Sequence, residues 1–192
     1  MAKKYEFRPD KTGQSFLDKF HLTQYQRKSL LKWLLYALVL LALSVFQDVI
    51  LSNVRFMGAT TDLVPCGIVL ICLMEGAESG CVFVLVASLL YLFSGSAPGF
   101  YTVPILTALA SGVTIFQQSY LHKTFSTLLL CTTVAMFIYE LSVFTIGLVV
   151  GLTLPDRLTA FCLTAGMSLL AVPVLYPFVR AIGKIGGETW KD

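Results

Sequence analysis

Between Thr124 and Pro155, Glu140 is the only Asp, Glu, Lys or Arg. A carboxyl in that setting can hold a proton, accept a hydrogen bond from a neighbouring helix, or face a cation on a ligand or partner. A charge near the middle of a membrane span costs about 2.5–3.5 kcal/mol on insertion scales, so the fold must offset it. The rest of the sequence narrows the chemistry. His21 and His122 lie outside the apolar runs, and there is no HExxH, GxSxG or Gly-rich phosphate loop. Intramembrane hydrolysis needs a nucleophile with a base, or paired carboxylates. Glu140 has no second acid in its own run. Asp48 and Asp62 lie near the ends of the first two runs, and nothing in the spacing supports a cross-helix pair with Glu140. Cys66, Cys72, Cys81, Cys131 and Cys162 form no CxxC pair and read as small buried side chains. The expectation is a protein without catalytic residues, cofactor or metal.

The elements that carry Glu140 are membrane helices. The chain of 192 residues is 56% hydrophobic and only 13% charged, against about 25% in a soluble domain. Mean hydropathy is +0.78. Six spans are expected: Leu31–Leu51, Thr60–Met74, Ser79–Phe93, Tyr101–Gln118, Phe125–Leu152 and Leu158–Val179. The second and third are short, and Glu75-Gly76-Ala77-Glu78-Ser79-Gly80 between them is rich in helix breakers, so a re-entrant or kinked pair is the competing arrangement. The fold class is thus an all-α six-span bundle. Residues 1–30 are read as a basic cytoplasmic tail, 31–184 as the transmembrane domain and 185–192 as a cytoplasmic tail. Residues 1–28 are polar and basic, unlike a signal peptide.

An even number of spans puts both termini on one side. Twelve of the Lys and Arg residues then fall on the terminal side, and only Arg55 and Arg157 on the other. The positive-inside rule makes the termini cytoplasmic, in a bacterial inner or plasma membrane. Phe16, Leu17, Phe20 and Tyr25 have the spacing of an amphipathic surface helix, and Thr23 with Gln26 that of a capping box. The competing reading is a solvated basic arm that orients the protein.

Helical geometry places Thr133, Glu140, Gly147 and Gly151 on one stripe, with Gly147 and Gly151 as a GxxxG. Glu140 therefore faces other helices. It is expected to be neutral or hydrogen-bonded, or to touch a partner subunit, or to serve a ligand or proton. Ala108 with Gly112, and Thr164 with Ser168 and Ala171, read as internal packing faces. Pro173 and Pro177 should kink or end the last helix. Ser94-Gly95-Ser96-Ala97-Pro98-Gly99 reads as a tight external turn, with a docking edge for an external partner as the sharper alternative.

In their order these residues resemble the bacterial rod shape-determining protein MreD family. The resemblance runs from Gln47 and Val49-Ile50-Leu51 through Gly58 and Thr61-Asp62-Leu63 to Gly76 and Gly80. It continues with Gly95, Gly99-Phe100 and the acid within Tyr139-Glu140-Leu141-Ser142-Val143-Phe144. It ends on Asp156-Arg157-Leu158-Thr159, Pro173, Leu175 and Arg180. Thr61 stands where the family usually has Pro, and Tyr91 where many members have Asp. Coverage is about residues 31–184, and Asp62, Gly99 and Glu140 are matching positions. The resemblance implies a non-enzymatic scaffold for cell shape and peptidoglycan synthesis. Its implied partners are MreC, MreB, RodA and a class B penicillin-binding protein.

That fold is similar to the substrate-binding subunits of energy-coupling-factor vitamin transporters, which defines the alternative. Against it, Ala37 and Ala42 are off the Ala-x-x-x-Ala register of such subunits. For it, Asp48, Asn53, Arg55 and Asp62 are candidates for a polar external pocket. A proton-coupled carrier would rest on Glu140 alone.

Overall fold

A computed structural model of the chain describes residues 24–51 and 59–185, with side-chain environments from Arg27 onward. The amphipathic segment around Phe16–Tyr25, the Thr23 cap, Asn53, Arg55, Gly58 and residues 186–192 lie outside the described side chains. Among the described residues the chain is all-helical. Seven α-helices follow one another: α1 Gln24–Val49, α2 Leu63–Glu75, α3 Ala77–Phe93, α4 Thr102–Tyr120, α5 Phe125–Val149, α6 Leu158–Leu169 and α7 Val172–Ile185.

The bundle is organised around α2. Its segment Leu63–Met74 has no charge and no polar face, and every one of those residues is buried. A helix apolar on all sides belongs in a core. Pro65 falls in the first turn, where its missing N–H costs nothing. At 13 residues α2 is about 20 Å long, well short of the roughly 30 Å hydrocarbon layer. Helices α1, α3, α4, α5 and α7 all pack on it.

Close approach is set by small residues. A Cβ on Gly67 would lie 2.9 Å from Leu43 of α1, and one on Gly80 would lie 2.9 Å from the Cys72 carbonyl oxygen of α2. The α2–α3 turn is made by Gly76, whose φ of 93° is easy for glycine alone. The pair is therefore a tight helical hairpin broken at Gly76.

Helices α1 and α2 run antiparallel. The C-terminal end of α1 meets the N-terminal end of α2 through Gln47 and Leu63. At the opposite end, Lys32 of α1 and Glu75 of α2 form a buried ion pair. The Tyr36 hydroxyl donates to Glu75 Oε1 at 2.6 Å and lies 3.4 Å from the Val179 carbonyl of α7. This cluster ties α1, α2 and α7 together.

The outer surface is apolar. Leu34, Leu38, Leu41, Val45 and Val49 form an exposed stripe on α1, and Val82, Val86, Leu90 and Phe93 one on α3. Exposed apolar faces on this scale mark a membrane or interaction surface. Two helices are long and apolar enough to cross a membrane, α1 over Arg27–Val49 and α5 over Phe125–Val149.

The sixth expected span is not one helix. It breaks after Leu169 and bends by 46°, and α6 and α7 are long and apolar enough only when taken together, as a broken span or a re-entrant loop. The break precedes Pro173, which occupies the first turn of α7, while Pro177 lies inside it. Helices α2 and α3 are apolar but shorter.

One of the two small-residue faces also differs from expectation. Ala108 and Gly112 point outward, and Gly112 has nothing within 4 Å of where its Cβ would be. Thr164 and Ser168 are buried as expected.

Candidate functional site

The N-terminal end of α2 is where the polar residues converge. The first N–H groups of a helix need acceptors, and a buried end has no water to supply them. Asp62 occupies the N-cap position, yet its side chain caps nothing. Gln47 of α1 does so instead. Its Oε1 accepts from Leu63 N at 2.8 Å and Val64 N at 3.1 Å, and its Nε2 donates to Asp62 Oδ1 at 3.2 Å. Ser168 of α6 accepts from Asp62 N at 2.8 Å and donates to the Thr164 carbonyl.

The Asp62 carboxyl, released from capping, lies beside that of Glu140 on α5, close enough for direct interaction. Two carboxyls can hydrogen-bond to each other only if a proton lies between them. Glu140 thus faces inward as expected, but it does have a second acid beside it. The absence of such a partner was a property of its own span and not of the fold. Glu140 is buried, and its Oε1 has no hydrogen-bond partner in the protein.

A polar cavity of about 380 Å³ opens beside the pair. Asp62 and Glu140 line it together with Tyr101, Thr153, Arg157 and Thr164. Its rim includes the loop after α3, in which Gly95 has a φ of 78° and the Ser96 hydroxyl is held 2.8 Å from both Asp48 carboxyl oxygens. Gly99 fits here because a Cβ would collide with the Tyr101 ring at 2.6 Å. A second hollow of about 910 Å³ runs between α1 and α3. It is larger, but it is lined by Trp33, Ala37, Phe83, Leu90 and similar groups and offers no charged side chain.

The other expected stripe residues have different places. Thr133 is half-buried and bonds the Leu129 carbonyl of its own helix at 2.7 Å. Gly147 and Gly151 do not form a helix-packing notch within the chain. Gly151 is exposed, with a φ of 77° at the end of α5. Gly147 is covered by Thr153, which folds back so that both Leu152 N and Thr153 N donate to the Gly147 carbonyl. The signal for this was present in the sequence: Gly151 followed by Pro155 is a helix-stop pattern.

The roles of Gln47 as a cap, and of Lys32 and Glu75 as a pair, are not apparent from residue spacing. Cys66, Cys72 and Cys131 are buried, while Cys81 is half-buried and Cys162 exposed; all are free. Among the described residues no group of three or more His, Cys, Asp or Glu could hold a metal ion.

Comparison of the chain with family models, curated proteins and solved structures finds no match.

Proposed function

We propose that this chain is a multi-pass scaffold of the MreD type, with six spans and both termini cytoplasmic. It supports cell shape and peptidoglycan synthesis by binding MreC, MreB, RodA and a class B penicillin-binding protein. The observation that carries the reading is the placement of the residues behind the resemblance. Gln47, Asp62, Gly76 and Gly80 build the core and its capped end, while the helices turn apolar faces outward. That division suits a protein that works by presenting surfaces. The count of six takes α2 and α3 as short spans packed within the bundle, and α6 with α7 as one. The charges agree: Arg27, Lys28, Lys123 and Lys184 lie at the Lys32–Glu75 end, and Arg157 at the other.

The test is depletion combined with purification from native membrane. Cells depleted of the chain should lose rod shape or width control, and an MreC-type protein should co-purify. Unchanged shape together with no such partner would refute the scaffold.

A second reading, a vitamin-binding subunit of an energy-coupling-factor transporter, is favoured by the polar cavity at the Asp62 end. A vitamin retained through native purification and identified by mass spectrometry would replace the first reading with this one.

A further inference from the structure

The hollow of about 910 Å³ between α1 and α3 is a groove that the fold leaves open. The two helices scarcely touch each other, and Val64 of α2 lines the groove from behind. Trp33 and Phe83 meet at 5.3 Å and close it at the Lys32–Glu75 end. Helix α1 is also the less covered of the two long spans. Only 17% of its most apolar stretch is buried, against 39% in α5.

Three observations say what covers this side. The first is composition. Leu30, Leu34, Ala37, Leu41 and Ser44 follow one another in steps of four and three residues and form one seam, of which Ala37, Leu41 and Ser44 line the groove. Leu34 and Leu41, 62% and 66% exposed, are knobs; Ala37 and Ser44 leave holes between them. Such a seam is complementary to a copy of itself. The Ser44 hydroxyl bonds to no described residue, whereas Ser142 and Thr145 of α5 bond the carbonyl four residues back. Hydrocarbon offers it no acceptor, but a facing helix does. The second is size. The α3 wall from Ser79 to Ser94 is about 22 Å long, so the groove averages about 40 Å² in section, roughly half that of a helix 10 Å across. It takes one side of a helix and leaves the other side to that helix's own bundle. The third is charge. Glu78, exposed, opens α3 at the Lys32–Glu75 end. Arg27, also exposed, lies two turns before Leu34 on the seam side of α1. A parallel copy brings Arg27 toward Glu78 of its neighbour.

We propose that a second copy of this chain docks here. Two protomers stand side by side in one membrane, related by a two-fold axis along the membrane normal, with each α1 laid in the α1–α3 groove of the other. The contact is isologous, so it closes as a dimer. The inference goes beyond the scaffold reading and does not depend on it.

The test uses the full-length protein in lipid bilayers of falling protein-to-lipid ratio and reads oligomeric state by single-molecule photobleaching. Two-step bleaching at high density should give way to one-step bleaching on dilution. Ala37→Phe fills a hole in the seam and should weaken association about tenfold or more. Ala108→Phe, at an exposed site on α4, should not. Ser44→Cys, oxidised with copper phenanthroline, should cross-link across the axis into a dimer that the parent, with its five native cysteines, does not give. Ala37 is exposed, so the melting temperature of the dilute Ala37→Phe monomer should match the parent's; if it does not, the Ser44→Cys cross-link decides alone.

The proposal is overturned if the chain bleaches in one step at every density, if a folded Ala37→Phe dimerises like the parent, or if Ser44→Cys gives no cross-linked dimer. A monomer whose native mass spectrum keeps a lipid that Ala37→Phe releases also overturns it and assigns the groove to lipid. A monomer that Ser44→Cys cross-links to a different protein overturns it in favour of a foreign helix.

Discussion

Lys32→Met should be among the most destabilising single changes in this chain, and Lys32→Met with Glu75→Leu among the mildest double changes. The side chains of Lys32 and Glu75 are 8% and 3% exposed, so solvent screens their attraction little. Taking Lys32 away leaves a buried carboxylate that keeps the Tyr36 hydroxyl as a donor but has lost its paired cation. Breaking a buried pair from one side costs about 3–5 kcal/mol, whereas replacing both partners with apolar groups of similar volume is about neutral or stabilising. Tyr36 retains the Val179 carbonyl when Glu75 is lost. The two single changes and the double therefore make a strongly non-additive cycle, with a coupling of about 3 kcal/mol or more. Unfolding by SDS in mixed micelles measures each corner. The fluorescence of Trp33 reports the transition, because its ring lies 5.3 Å from Phe83 of α3 and loses that packing on unfolding. A Lys32→Met cost below about 1 kcal/mol, as for an exposed pair, or additive single costs, would refute the buried clamp.

Three further outcomes follow from the same geometry. Gln47→Ala removes the acceptor for two α2 N–H groups and should cost about 1–3 kcal/mol, measured in the same micelle assay. Gly67→Ala meets Leu43 and should cost about 1–3 kcal/mol as an overpacked site, while Gly112→Ala, with open space around it, should be neutral or gain up to about 1 kcal/mol of helix propensity; melting temperatures of the two variants should move in opposite directions. Glu140→Gln preserves shape and hydrogen-bonding capacity beside Asp62 and should support cell shape in a complementation assay, while Glu140→Leu, which abandons the Asp62 contact, should be impaired; full complementation by both would show the polar contact to be dispensable.

The sequence reveals where the helices lie far better than how they turn. Apolar runs bounded by Glu75-Gly76, Ser94–Gly99 and His122–Thr124 place α1 through α5 closely, because composition alone decides what can lie in lipid. Orientation is harder. In a soluble helix the polar face points outward, but here both lipid and core are apolar, so periodicity identifies a face without saying which way it looks. That is why Ala108 and Gly112 share a face as expected and yet point away from the bundle. Pairing is harder again. Glu140 meets Asp62, and Lys32 meets Glu75, through helix registers that packing sets. Gln47 illustrates the limit: its place in the resemblance is plain in the sequence, but its use as the cap of another helix depends on where α1 ends against α2.

The central position of α2 also constrains how the protein is made. It emerges from the ribosome well before α7, yet α7 forms part of its wall. The Tyr36–Val179 contact closes that wall across 143 residues of sequence. Until the final segment arrives, α2 presents an uncovered side to lipid or to the insertion machinery, and the Lys32–Glu75 pair lacks its roof. Core completion therefore waits for α7, and a chain truncated before Val172 would enter the membrane as an open bundle, exposed to quality-control proteases.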